Sequence, residues 1–181
     1  MLKHYPHNPP HLFLDDQYYF ITAACYQKKH LMNSDENKQY LLDTLKDYAN
    51  RVKWELDNWV ILSNHYHFSI KSKLGKDLSY LMGNVHRKTA KFVRDHDAFE
   101  GKNVWWNYWD YCPRNERDYY QHLNYMLYNP VKHGYGADLK DFKWSSFHAL
   151  LDDFGSERLA KQFRQLGFKD LRIDFELNDD F

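Results

Sequence analysis

The stretch from Trp59 to Lys71 (WVILSNHYHFSIK) restricts the fold more than any other. It reads as a strand, a tight Ser63-Asn64 turn and a second strand that alternates strictly. Side chains on a strand have period two, so Tyr66, Phe68 and Ile70 share one face while His65, His67 and Ser69 share the other. A hairpin with one apolar face lays that face on a core. The opposite face then presents two imidazoles side by side, and histidines at i and i+2 on a strand can reach one metal ion. The chain has 11 His, so the tripeptide alone is also compatible with an ordinary solvated sheet face.

The rest of the chain arranges itself around this hairpin. Met1 to Asp16 is an irregular arm, broken by Pro6, Pro9 and Pro10. Gln17 to Tyr26 is β-rich and forms the first strand. Ser34 caps a helix over Asp35 to Asn50. Val52 to Leu62 alternates and supplies the second strand, and His65 to Lys71 the third. Asp77 caps a helix whose apolar face is Leu78, Leu81, Met82, Val85, Thr89, Phe92 and Val93. Its other side carries His86, Arg87, Lys88, Lys91 and Arg94. The aromatic run Asn103 to Tyr111 is the fourth strand. Asn115, with Asp118 three residues on, opens a third helix in a capping-box-like arrangement. Pro130 is expected to end or kink that helix at Asn129. A short helical stretch follows Trp144-Ser145-Ser146-Phe147, a further helix covers Ser156 to Leu166, and Asp170 to Phe181 is an acidic tail.

The order β-α-β-β-α-β, then a helix, specifies an α+β fold of ferredoxin-like type. Its antiparallel sheet carries both crossover helices on one face. The face left bare is that of His65 and His67, and the helix carrying Tyr125 can lie across it. At 181 residues a single domain is expected over 1–181, with its core at about 17–150 and a helical extension with an acidic tail at 151–181.

Composition narrows the function classes. Formal net charge is zero, so overall charge does not announce a polyanionic partner. The distribution says more: between Lys71 and Arg94 the bases Lys71, Lys73, Lys76, Arg87, Lys88, Lys91 and Arg94 face the single acid Asp77. A basic helix face is ordinarily solvated, yet this one follows the His strand, which favours a phosphate-facing role. Fifteen Tyr, 12 Phe and 6 Trp exceed what a core needs and suit a surface that stacks on flat groups. Cys25 and Cys112 form no CxxC motif and no disulfide framework, as in a reducing cytoplasm. No apolar run approaches the roughly 20 residues that span a bilayer, and the arm lacks a signal-peptide core. A cytoplasmic, non-membrane protein is expected.

Tyr125 and Asn129 lie at i and i+4, one above the other on a helix. If that face meets the His strand, a phenol and an amide oxygen join two imidazoles. His65, His67 and Asn129 could hold a metal that withdraws charge from a phosphate oxygen, while Tyr125 attacks as nucleophile. On spacing alone, the plainer reading prevails: Tyr125 is one of 15 tyrosines packing a core, and Asn129-Pro130 a turn signal.

These residues also carry a resemblance. His65-Tyr66-His67 after a Trp-Val-Ile-Leu-Ser-Asn strand resembles the HUH motif (His, bulky apolar residue, His) of single-tyrosine transposases. The run Tyr125 to Gly134 (YMLYNPVKHG) resembles their tyrosine helix. Val104 to Asp110 and Trp144-Ser-Ser-Phe147 resemble the branch called REP-associated tyrosine transposases. The resemblance covers roughly Tyr18 to Phe147, with Tyr66 standing where the family usually has an aliphatic residue and Tyr128 as a second phenol near Tyr125. It implies an HUH fold, a divalent metal on His65, His67 and Asn129, Tyr125 as nucleophile, and cleavage of single-stranded DNA beside an imperfect palindromic hairpin. The covalent intermediate would be a 5′-phosphotyrosine. Arg87, Lys88, Lys91, Arg94 and Lys132 are expected to bind backbone phosphates. Two imidazoles suggest zinc or another transition metal, whereas the family implies magnesium or manganese; manganese satisfies both. Relatives include dimers and monomers. Two alternatives stay open at this point: an HUH endonuclease that only nicks, and a non-catalytic module that binds single-stranded nucleic acid through its aromatics.

Overall fold

The computed structural model describes residues 11–168. The acidic tail and the first ten residues of the arm lie outside them. Four strands, β1 (Tyr18–Cys25), β2 (Glu55–Ile61), β3 (His65–Lys71) and β4 (Trp105–Tyr111), form one sheet in the order β2-β3-β1-β4. Every neighbouring pair is antiparallel. The helices are α1 (Asp35–Arg51), α2 (Leu78–His96), α3 (Glu116–Lys132), α4 (Phe147–Phe154) and α5 (Ser156–Gln165). The element order and sheet order are those of the split βαββαβ arrangement read from the sequence. Among the described residues no helix is long and apolar enough to cross a membrane.

The two faces of the sheet bury different layers. Tyr66, Phe68 and Ile70 face α1 and α2 and join Tyr19, Ile21, Leu41, Leu45, Leu81 and Val85 in one apolar core. The other face is not bare. Phe20, Val60 and Leu62 pack there against Leu123, Met126 and Leu127 of α3, Phe147 of α4 and Leu159 of α5. The period of β3 fixed which residues share a face. It did not show that α3, α4 and α5 would build a second core over the histidine side.

Three local expectations are corrected. The second strand starts at Glu55, not Val52, because the backbone of Lys53 and Trp54 closes the end of α1: Lys53 N donates to Asn50 O (3.0 Å) and Trp54 N to Ala49 O (2.8 Å). This is a Schellman closure, with Lys53 in the left-handed region (φ 59°) where glycine is usual. Trp54 still points inward, so the alternation reflected burial rather than strand. The capping box of α3 is half formed. Asn115 Oδ1 accepts from Asp118 N (3.0 Å), but the Asp118 carboxylate serves Arg114 N, Arg114 Nε and Tyr111 Oη instead. His86 leaves the basic face: its Nε2 meets Tyr66 Oη at 2.7 Å and its ring stacks on Trp105, where burial presses its pKa down to about 3.

Pro130 does not end α3, which continues past it to Lys132. A proline in a helix interior removes one backbone hydrogen bond and costs about 3 kcal/mol. Two features offset it here. Pro130 is buried against the body, and the helix closes in a second Schellman motif, with Tyr135 N donating to Pro130 O (2.8 Å) and Gly134 N to Val131 O (3.1 Å). Gly134 takes the left-handed position (φ 74°).

Candidate active site

The site begins with a row across the sheet. Val60 on β2 stands opposite His67 on β3, His67 opposite Thr22 on β1, and Thr22 opposite Trp109 on β4. Residues directly opposite on antiparallel strands share a face, so all four look toward α3. Thr22 Oγ1 meets His67 Nδ1 at 2.8 Å. His65 Nδ1 meets Asn64 Oδ1 at 2.7 Å. An amide oxygen only accepts, so His65 Nδ1 is the donor in this pair. The two rings stand edge to face with centroids 5.1 Å apart.

Both imidazoles are buried, His65 at 9% and His67 at 3% exposure, so they point off the first core and into the second. Burial is the main reason that the His67 pKa falls to about 3. The charges of His133 and Lys132 push the same way, and a hydrogen-bonding contribution from Asn129 opposes them. His67 is therefore a neutral imidazole at physiological pH, the form that binds metals.

Helix α3 brings the remaining groups. Asn129 is fully buried, and its Nδ2 donates to Tyr125 O at 3.1 Å. That bond pins the amide on the helix while its influence on His67 places it at the histidine. Tyr125, one turn earlier, is 7% exposed. Its phenol oxygen accepts a hydrogen bond from Lys132 Nζ at 2.5 Å, and the same ammonium lies 4.8 Å from the ring centroid. Lys132 thus bonds the phenol while its charge reaches His67, which ties the tyrosine and the histidine strand together. Tyr128 goes elsewhere, packing on Phe168 in a groove walled by α3, α4 and α5.

The structure thus gathers His65, His67, Tyr125, Asn129 and Lys132. Arg87, Lys88, Lys91 and Arg94 are exposed on α2, across the sheet from this group, with Arg87 on Asn84 Oδ1 (2.7 Å) and Lys91 on Asp95. Residues the sequence did not single out complete the site. His133, at the end of α3, packs its ring 4.9 Å from that of His65; its i+4 spacing from Asn129 was a signal that could have found it. Thr22 was invisible, since only strand register places it on His67. Behind His65 a cleft of 390 Å³ is lined by His30, Asn33, Ser63, Asn64, His133 and Tyr135. There Ser63 Oγ is held between His30 Nδ1 (2.5 Å) and the Tyr135 hydroxyl.

Among the described residues no three His, Cys, Asp or Glu side chains are grouped to hold a metal ion. A metal here would take two imidazole nitrogens and the Asn129 amide oxygen from the protein, with waters and substrate oxygens completing the shell. The residues fit that demand. One nitrogen of each ring is occupied by a side-chain oxygen, the second-shell arrangement that orients histidine ligands, and His67 is neutral. An open site with few protein ligands suits manganese or magnesium acting on phosphate oxygens.

Comparison with known proteins bears on the same region. The family model described as "Transposase IS200 like" matches residues 14–113, which includes the histidine strand and stops before α3. A candidate REP-associated tyrosine transposase of Haemophilus influenzae is 28% identical over 131 residues, covering 63% of this chain and 74% of that protein. The REP-associated tyrosine transposase of Escherichia coli K12 is 31% identical over 97 residues, 52% of this chain and 55% of that one. The solved structure of a REP-associated tyrosine transposase bound to a REP hairpin shares the fold, with a TM-score of 0.64, 24% identity and 92% of each chain covered.

Proposed function

The chain belongs to the IS200-like transposase family, and on that premise we propose that it cleaves and rejoins single-stranded DNA beside an imperfect hairpin through a 5′-phosphotyrosine on Tyr125. The observation that carries this reading is the meeting of α3 with the histidine strand: the Asn129 amide lies at His67, and the same helix holds the Tyr125 phenol one turn away. A solved relative is bound to a REP hairpin, which supports a hairpin with a single-stranded flank as the substrate class.

His65, His67 and Asn129 would hold manganese or magnesium, and the ion when bound would supply Lewis-acid polarisation of a non-bridging phosphate oxygen. The other work falls to this chain's own residues. Thr22 and Asn64 fix the two rings. Burial keeps the His67 imidazole neutral, and removal from bulk water strengthens charge interactions around it. The Tyr125 oxygen attacks phosphorus, the bond to the 3′ oxygen breaks, and a free 3′-hydroxyl leaves. No water enters the bond, so the phosphotyrosine keeps the bond energy for rejoining.

A labelled hairpin with a single-stranded flank and manganese tests the reading. Wild type should give a denaturant-resistant protein–DNA adduct carrying the fragment downstream of the cut. Tyr125→Phe should give none at unchanged hairpin affinity, and Tyr128→Phe should retain it. Cleavage with a water-derived 5′-phosphate and no adduct would replace the reading with a metal-dependent hydrolase. Hairpin binding with neither cut nor adduct would leave a non-catalytic binding module.

A further inference from the structure

Resting on Tyr125 as the nucleophile, we propose that Lys132 is a catalytic residue that holds the charge on the Tyr125 oxygen, stabilising it as nucleophile in cleavage and as leaving group in rejoining. The usual expectation for a lysine in a DNA-cleaving protein is a phosphate contact, and the geometry points elsewhere. Lys132 Nζ donates to Tyr125 Oη at 2.5 Å and sits 4.8 Å from the ring centroid, so the ammonium is aimed at the reacting atom itself. The two residues are seven apart, two turns of one helix and hence one face. They share that face only because α3 continues through Pro130 to Lys132. A helix ending at Asn129 would have carried the lysine away from the phenol. Position also favours the cation, since a lysine in the last helical turn meets the negative end of the helix dipole.

The chemistry balances without another reactant. In cleavage the phenolic proton passes to solvent, the Oη–P bond forms, the P–O3′ bond breaks, and the 3′ oxygen takes a proton from water. In rejoining a 3′-hydroxyl attacks phosphorus, the P–Oη bond breaks, and the phenolate leaves beside the ammonium before regaining a proton. Phenolate charge is greatest at Oη just where Lys132 already donates, so the contact strengthens toward both transition states. Such an interaction raises the rate of the chemical step rather than affinity for DNA.

The test is single-turnover adduct formation by the full chain with the labelled hairpin and manganese, together with resolution of the isolated adduct by a strand bearing a 3′-hydroxyl. Lys132→Gln should slow both directions by about 10²–10³-fold, with hairpin Kd within about 2-fold and an unchanged melting temperature. Lys132→Arg should keep most of the rate, because it keeps the charge. The decisive readout is chemical rescue. A Tyr125 bearing two ring fluorines, a more acidic phenol, should restore much of the Lys132→Gln rate and barely alter a protein that retains the lysine. A residue that only packs or only binds phosphate would not be rescued in this way. Adduct formation at the wild-type rate in Lys132→Gln, or a loss confined to hairpin affinity, would overturn the inference and leave the Tyr125 reading standing. Absence of any adduct in wild type would remove both.

Discussion

The two faces of the sheet are built by different rules. Toward α1 and α2, β3 presents Tyr66, Phe68 and Ile70, all within 1% of full burial, and their neighbours are almost entirely apolar. Toward α3, the same strand presents His65, His67 and Ser69, which are also buried, beside Thr22 and Asn129. Apolar contacts of α3, α4 and α5 surround these polar groups. Burying polar groups is unfavourable unless each is hydrogen-bonded, so the second face gives up stability that the first supplies. Buried polar groups without a purely structural reason mark a site, and the difference between the faces locates it.

The sharpest way to break this comparison is to substitute adjacent residues of one strand. His67→Ala should abolish adduct formation while lowering stability by only about 1–2 kcal/mol, the cost of a small cavity and a Thr22 hydroxyl without its partner. Phe68→Ala should do the reverse, losing about 3–5 kcal/mol and leaving the adduct rate of the folded fraction intact. Urea unfolding and single-turnover adduct assays on both variants would decide it. A catalytically competent His67→Ala would show that the histidine face is merely a second core.

The anchor of α3 offers a medium effect. Burial alone would raise the Asp118 pKa, but hydrogen bonds from Arg114 and Tyr111 and the charge of His122 lower it to about 2. The unfolded value is about 3.9, so the carboxylate contributes about 2 kcal/mol above pH 4, and this is lost as pH falls through 2. Asp118→Asn should therefore be less stable than wild type by about 2 kcal/mol at pH 7, with the gap closing between about pH 4 and 2. Denaturation across that range checks it, and a pH-independent gap would mean that the carboxylate charge does not anchor α3.

At the far end of α3, Gly134→Ala should cost about 1 kcal/mol. A methyl there meets nothing within 4 Å, so the cost is backbone strain at φ 74° alone. Melting measurements would expose a larger loss if the Schellman turn also sets the His133–His65 contact. The smallest effect belongs to the α2 surface. Neutralising Arg87, Lys88, Lys91 or Arg94 should change stability by no more than about 0.5 kcal/mol. Each that contacts a phosphate should lower the salt slope of single-strand binding by about 0.7. Unchanged slopes in all four variants would assign DNA binding entirely to the α3 side of the sheet.

Much of this was legible in the sequence because it is local. The period of β3, the Ser34 cap of α1, which accepts from Asn37 N, and the i, i+4 pair Tyr125 and Asn129 each lie within a few residues. Local rules failed where a distant part of the chain competed for the same atoms. Trp54 alternates like a strand residue yet closes α1. His86 sits beside Arg87 in sequence but turns inward to Tyr66 and Trp105. Asp118 stands where a capping box would use it and binds Arg114 and Tyr111 instead.

The sequence by itself determined the strand and helix order, the face shared by His65 and His67, and the presence of a tyrosine and an amide one helical turn apart, since each follows from a fixed repeat of 2 or 3.6 residues. Only the tertiary structure decided that α3 passes through Pro130, that Lys132 meets the Tyr125 oxygen, and that Thr22 and His133 fall beside the two imidazoles. The physical reason is that these contacts join elements far apart in the chain: strand register sets one, and the others depend on a helix whose last turn is favoured by burial and its closing motif against the preference of its own proline.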